Sequence, residues 1–295
     1  MTTTIDATEI GELSAQAIRD IATRAIDGNP VADYAERSPL DWATIDEGGW
    51  DLIGVPEEFD GGGASLRDLV EVARVWGQMS LPLPLIETIW AKRWSANARE
   101  LGGPVSISVH RPGTTDGSGL APYGAMPGVR IARSIGSASD DFESGPIGDM
   151  DDFAPALRLS VLPWTADAPP AMARELGILW AAEASGAAQR LLDLSVAYAK
   201  DRHQFGKPIG SFQAIKHRLA NMHSMAQYAE TAVIWASQEP ENAVRASLYA
   251  LDQSIIVAES AIQVHGGMGF TWEMGLHYYL KTMLIRRELA QGLWQ

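Results

Sequence analysis

Apolar residues recur every third or fourth position along two long stretches of the chain, and that rhythm is lost between them. In the first stretch, Ile10, Leu13, Ala17, Ile21 and Ala25 predict a helix over Ile5–Ile26 with this stripe as its packed face. Asp41 is placed to cap a helix reaching about Leu52. Gly61-Gly62-Gly63 breaks the chain, Ser65 caps the segment SLRDLVEVARVWGQMS, and a further helix is expected from Leu85 to Ala98. In the second stretch, Pro169-Pro170 opens a helix to about Asp201. Ile209, Phe212, Ile215, Leu219, Met222, Met225 and Ala229 mark a second helix. Leu248, Leu251, Ile255, Ala258 and Ile262 mark a third, and a fourth runs from about Met274 to Leu293. Four long helices in succession predict an up-and-down bundle.

The middle region, 103–165, is rich in Gly, Ser and Asp and has no long helical period. Its candidate strands are VSISVH (105–110), GVRIAR (128–133) and ALRLSVL (156–162). The pattern as a whole predicts a mainly α protein with a small β domain. Its three regions are a helical N-terminal domain (1–102), a reduced β domain (103–165) and a C-terminal four-helix bundle (166–295).

Composition narrows the function without naming it. The chain has 295 residues, 46% hydrophobic and 20% charged, which is enough apolar content for a packed core and excludes intrinsic disorder. No apolar run approaches the roughly 18 residues of a membrane span. The polar, acidic start MTTTIDATEIGELS lacks the features of a secretory signal, so a cytoplasmic location is expected. The net charge of −14 disfavours nucleic acid as a partner. Without cysteine there is no disulfide, thiolate nucleophile or zinc-thiolate site. The six histidines are scattered, and His217 and His223 are badly spaced to share a metal. GxGxxG, GxxxxGK[ST], HExxH and GxSxG are all absent.

Two loops at helix junctions carry candidate chemistry. RHQFGKPIG brings Arg202, His203 and Lys207 to a glycine-containing turn, where side-chain charge and nearby backbone N–H groups can hold a phosphate. HGGMGF has adjacent glycines that permit close backbone approach to a ligand or to another helix. Taken alone, RHQFGKPIG reads first as an ordinary interhelical turn and HGGMGF as a helix terminator.

Together they form a longer pattern. RxQFGKPIxxFQxIxHxLAxM, from Arg202 to Met222, is followed some fifty residues later by QVHGGMGF, from Gln263 to Phe270. This pair closely resembles the C-terminal helical domain of the acyl-CoA dehydrogenase family. The stretch GWDLIGVPEEFDGGGASLRDLVEVARVWG is similar to that family's helical N-terminal domain. The resemblance implies FAD as cofactor, an acyl-CoA as substrate and an electron-transfer acceptor. It also implies α,β-dehydrogenation, with a carboxylate base removing the α-proton. Carried over, Arg202, Phe205, Gln263, Gly266 and Gly267 would bind the ADP part of an FAD held mainly by a neighbouring subunit, with Gln213 a further contact.

The departures from the family pattern shape the functional expectation. Gly103–Thr165 is shorter than the family's β domain and lacks a TEP-x-AGSD-like loop. The family's two positions for the catalytic base fall near Ala290 and at Leu176, both aliphatic. The nearest carboxylates, Glu288 and Glu175, are offset, so Glu175 is about 100° round its helix from the expected position. Glu183 and Glu259 are expected to be structural, and Glu273 to sit at a helix N-terminus. The implied protein is a shortened subunit of an α2β2 dehydrogenase of the kind found in actinobacterial steroid catabolism. A longer acyl-CoA dehydrogenase subunit would then supply the base. A self-sufficient homo-oligomer with a relocated base and a non-catalytic assembly subunit remain open.

Overall fold

The computed structural model describes residues 6–28, 31–113, 117–135, 140–163 and 168–294. Six helices come first: α1 (Glu9–Ile26), α2 (Val31–Tyr34), α3 (Trp42–Glu47), α4 (Leu66–Met79), α5 (Leu85–Trp94) and α6 (Ala96–Glu100). Seven short strands follow: β1 (Val105–Ile107), β2 (Val109–His110), β3 (Ser118–Ala121), β4 (Arg130–Ser134), β5 (Asp141–Ser144), β6 (Asp149–Asp151) and β7 (Leu159–Pro163). The long helix α7 (Pro170–Asp201) leads into the hairpin β8 (His203–Gln204) and β9 (Lys207–Pro208). Then come α8 (Gln213–Gln238), α9 (Ala243–His265) and α10 (Leu276–Gly292). No described helix is long and apolar enough to cross a membrane.

The strongest local signal, at Ser65, is realised in full. Its hydroxyl accepts from the N–H of Asp68, and the Asp68 carboxylate accepts from the N–H of Ser65, closing a capping box at the start of α4. Leu69, Val70, Val72, Ala73, Val75 and Trp76 then bury one broad face of α4. That face lies on α7 through two glycines. A Cβ on Gly77 would stand 1.8 Å from the carbonyl oxygen of Glu183, and one on Gly186 would stand 1.8 Å from that of Arg74. Any side chain at either point would force the helices apart, so these glycines set how closely the N-terminal helices approach the bundle.

The face of α1 differs from the expected one. Gly11, Ala15, Ile18, Ala22 and Ile26 are buried, whereas Ile10 and Leu13 are exposed. The predicted stripe lies one residue out of phase. Small residues explain the choice, because a Cβ on Gly11 would stand 2.5 Å from Asp68 Oδ1. The face that permits contact with α4 therefore wins over the more apolar one. The seam read along α8 is also only partly closed. Met222 and Ala229 are buried, but Ile215 and Leu219 are half-buried, and Ile209 and Phe212 belong to the turn before the helix. A crevice of about 530 Å³ separates this front half of α8 from α7.

The strands form two small sheets. One has the order β1-β4-β5, with β1 and β4 parallel; the other is antiparallel with the order β2-β3-β7-β6. The sequence pattern located β1, β2, β4 and β7 but not β3, β5 or β6, which read SGLA, DFES and DMD. These carry too few β-branched or aromatic residues to register as strands, and their neighbours impose the extended form. Part of the region 112–127 lies outside the described residues, but its β3 is paired on both sides. The end of α10 packs against β2, where a Cβ on Gly292 would meet the His110 carbonyl oxygen at 2.1 Å.

Candidate functional site

The two motif loops meet at one end of the bundle. Because α7, α8 and α9 run alternately up and down, the C-termini of α7 and α9 and the N-terminus of α8 share that end. Arg202 ends α7, its N–H donating to the carbonyl of Tyr198 at 2.8 Å. The β8–β9 hairpin folds back on the helix end, as Ile209 N–H donates to the Arg202 carbonyl at 2.8 Å. The hairpin turn consists of Phe205 and Gly206, with φ of 51° and 79°. Two consecutive positive φ values characterise a tight two-residue hairpin, for which glycine is well suited and a bulky aromatic is not. Phe205 is nevertheless held there, 92% exposed, in an edge-to-face contact with Phe212 at 6.1 Å between ring centres. Strain at a fully exposed aromatic points to a contact the isolated chain does not make.

The surroundings of the hairpin are rich in donors. Arg202, Lys207 and Gln213 are exposed, and Arg202 makes no ion pair among the described residues. The Lys207 ammonium lies 4.4 Å over the Phe212 ring. No side chain caps the N-terminus of α8, so its first-turn N–H groups lack a side-chain acceptor. Across from it, Gln263 is exposed on the last turn of α9. Gly266 then adopts φ 59°, ψ −136°, a conformation open essentially to glycine alone. A Cβ on Gly266 or Gly267 would meet nothing within 4 Å, so the backbone there faces open space. Gly269 has the opposite role, its Cα lying against the Ile262 carbonyl, which folds the loop onto α9.

The chain interior between α5, α7 and α10 is closed. Arg286 of α10 is 1% exposed and pairs with Glu87 of α5 at 2.5 Å and with Glu183 of α7 at 2.8 Å. Trp180 Nε1 donates to the same Glu87 carboxylate at 2.8 Å, and the Arg286 guanidinium lies 5.2 Å from the centre of the Trp180 ring. Burial pushes the Glu183 carboxyl up to about 7, against the pull of Arg286. The space left beside this cluster is about 10 Å³, no more than one water could use.

A family model for the acyl-CoA dehydrogenase C-terminal domain matches residues 177–290. The acyl-CoA dehydrogenase IpdE2 of Mycobacterium tuberculosis is 34% identical over 239 residues, covering 77% of this chain and 74% of that protein. The chain belongs to the acyl-CoA dehydrogenase family. Solved structures share its fold. The ChsE4–ChsE5 complex of M. tuberculosis superposes with a TM-score of 0.72 at 17% identity, covering 99% of this chain and 96% of that one. The G363A variant of the Tcur3481–Tcur3483 steroid acyl-CoA dehydrogenase does so with 0.71 at 19% identity, covering 97% and 92%.

Within this acyl-CoA dehydrogenase fold, the positions of the expected base carry no acid. Leu176 and Ala290 are both fully buried among apolar neighbours. Glu175 is buried and engaged: its carboxylate pairs with Arg93 at 2.7 Å and accepts from Trp94 Nε1 at 2.6 Å. Burial raises its pKa, with Arg93 and Trp94 opposing. Glu288 is half-buried and pairs with Arg111 at 3.4 Å. Glu183 belongs to the Arg286 cluster, while Glu259 and Glu273 are exposed. Glu273 sits in the turn ahead of α10. Three residues of the site were not read as site residues in the sequence: Phe212, which contacts both Phe205 and Lys207, and the pair Tyr198 and His265 beneath the loops. Phe212 was visible only as a member of the apolar stripe, and the signal of Tyr198 and His265 was position, one turn before Arg202 and one residue before Gly266.

Proposed function

We propose that this chain is a subunit of a heteromeric FAD-dependent acyl-CoA dehydrogenase and contributes the ADP side of a flavin site completed by a longer partner subunit. One observation carries the reading: the donor set of Arg202, Gln213, Gln263 and the Gly266–Gly267 backbone converges on one bundle end and faces outward. The residues fit the dinucleotide. A guanidinium fork with no ion pair among the described residues suits a pyrophosphate, open glycine backbone allows close approach, and the exposed Phe205 ring gives an apolar face. FAD, when bound, supplies the hydride acceptor for dehydrogenation of the acyl thioester. This chain's part is to bind and orient the nucleotide end. The base is assigned to the partner, since Leu176 and Ala290 cannot accept a proton and Glu175 and Glu288 are tied in ion pairs. The likeness to the Tcur3481–Tcur3483 steroid acyl-CoA dehydrogenase and to the ChsE4–ChsE5 complex, both named for two different chains, supports a bulky, ring-containing acyl group and a hetero-oligomeric assembly, which we take to be α2β2.

The test is expression of the chain alone and together with its partner, with flavin absorbance and dehydrogenase activity measured in each. Flavin and turnover should appear only in the complex. Strong yellow colour and full turnover from this chain alone would overturn the assignment.

A second reading, a self-sufficient dehydrogenase, draws on the buried, proton-retaining character of Glu175. It requires that Glu175→Gln abolish turnover of the chain on its own while FAD stays bound.

A further inference from the structure

The two loops at the candidate site come from helices with no covalent link nearby, yet their side chains can hold one ligand only if their spacing is fixed. A direct side-chain contact ties the helix ends that carry them. Tyr198 of α7 and His265 of α9 stack with ring centres 4.3 Å apart and planes 27° apart. The Tyr198 hydroxyl also reaches the His265 carbonyl, at 3.4 Å. His265 is 3% exposed, and its Nδ1–H donates to the Ala261 carbonyl at 2.8 Å, which fixes both the ring and its tautomer. Burial lowers the imidazole pKa, so the ring stays neutral and stacks without a charge to solvate.

The pair touches both loops through the backbone. The Tyr198 carbonyl holds the N–H of Arg202, and Gly266 directly follows His265. The hairpin is seated on the same helix end, where a Cβ on Gly210 would stand 2.9 Å from the Ala199 carbonyl oxygen. A shift of either ring therefore moves Arg202 relative to the open glycines. We propose that Tyr198 and His265 are positioning residues, a stacked pin that sets the distance between the Arg202 fork and the Gly266–Gly267 backbone so that both can engage one nucleotide diphosphate. This rests on the flavin-binding reading of the same loops.

The experiment uses the complex of this chain with its partner, with FAD as titrant. It compares Tyr198→Leu, Tyr198→Phe, His265→Leu, His265→Phe and the double Leu variant, with Arg202→Ala as control. An aromatic pair of this kind corresponds to about 3- to 10-fold in a dissociation constant. Tyr198→Leu and His265→Leu should each weaken FAD binding by about that factor, and kcat at saturating FAD should hold. Tyr198→Phe and His265→Phe keep the stack and should restore affinity. The double Leu variant should be no worse than either single one, as expected of a pair acting as a unit. Unchanged affinity in both Leu variants, with FAD binding lost in Arg202→Ala, would overturn the pin and leave the flavin reading standing. Unchanged affinity in Arg202→Ala would overturn the flavin reading itself. A Leu variant whose kcat falls at saturating FAD and whose affinity the Phe variant does not restore would mark the pair as merely structural.

Discussion

Replacing Arg286 with methionine should be among the most damaging single changes to this fold. The guanidinium is completely buried and is the ion-pair partner of two buried carboxylates, Glu87 and Glu183. Methionine fills much of the volume of the side chain but leaves both acids facing each other without a cation. Breaking a buried pair from one side costs about 3–5 kcal/mol, far more than the pair's net contribution when intact. Loss of the guanidinium from the Trp180 and Tyr123 faces adds a smaller amount. Urea unfolding followed by tryptophan emission suits the case, because Trp180 donates to Glu87. At pH 7.5, Arg286→Met should lose about 3–5 kcal/mol. The triple variant with Glu87→Gln and Glu183→Gln should regain most of it. A loss below about 1 kcal/mol for the single variant would refute the reasoning, because the cluster would then have to be hydrated and the interior open.

Other outcomes follow from the same geometry. Glu183 has a folded pKa raised to about 7 by burial, so the folded state holds a proton that the unfolded chain releases nearer its ordinary 4.5. Its contribution to stability is therefore full below about 4.5 and is lost as pH rises through about 7. In Glu183→Gln this part of the pH dependence, on the order of 3 kcal/mol, should vanish from urea unfolding curves recorded between pH 5 and 8. Gly186→Ala places a methyl against the Arg74 carbonyl and should cost at least about 2 kcal/mol by thermal or urea unfolding; a neutral result would mean the α4–α7 contact is looser than described. Phe205→Gly relieves a positive φ in a bulky residue, so melting temperature should hold or rise while FAD binding by the complex weakens about 3- to 10-fold. A variant that binds FAD normally would show the exposed ring to be idle.

Local chemistry made much of the architecture readable. Ser65 and the preceding glycines announced α4, and the three-and-four spacing of Leu251, Ile255, Ala258 and Ile262 gave the buried line of α9, with Leu248 at its start half-buried. Legibility failed where partners decide the outcome. The apolar stripe of α1 lost to a face of smaller residues because Gly11 had to pass Asp68. Glu175 to Ala188 of α7 is buried all round, so no periodicity could indicate which neighbour each side meets. The strands β3, β5 and β6 take their form from pairing across the sheet, not from their own residues. At the site, Arg202, Phe205 and the glycines were visible because their spacing is local. Tyr198–His265 spans 67 positions and Arg286–Glu87 spans 199, and no pattern within a helix reports such a contact.

The central claim is that this chain supplies the nucleotide-end donors of a flavin held with a partner subunit. Its most direct test is the FAD dissociation constant of the complex assembled from an unaltered partner and Arg202→Ala of this chain. Loss of a charge-assisted guanidinium–phosphate contact predicts binding weaker by about 10- to 100-fold, with assembly intact. FAD affinity equal to that of the unaltered complex would contradict the account.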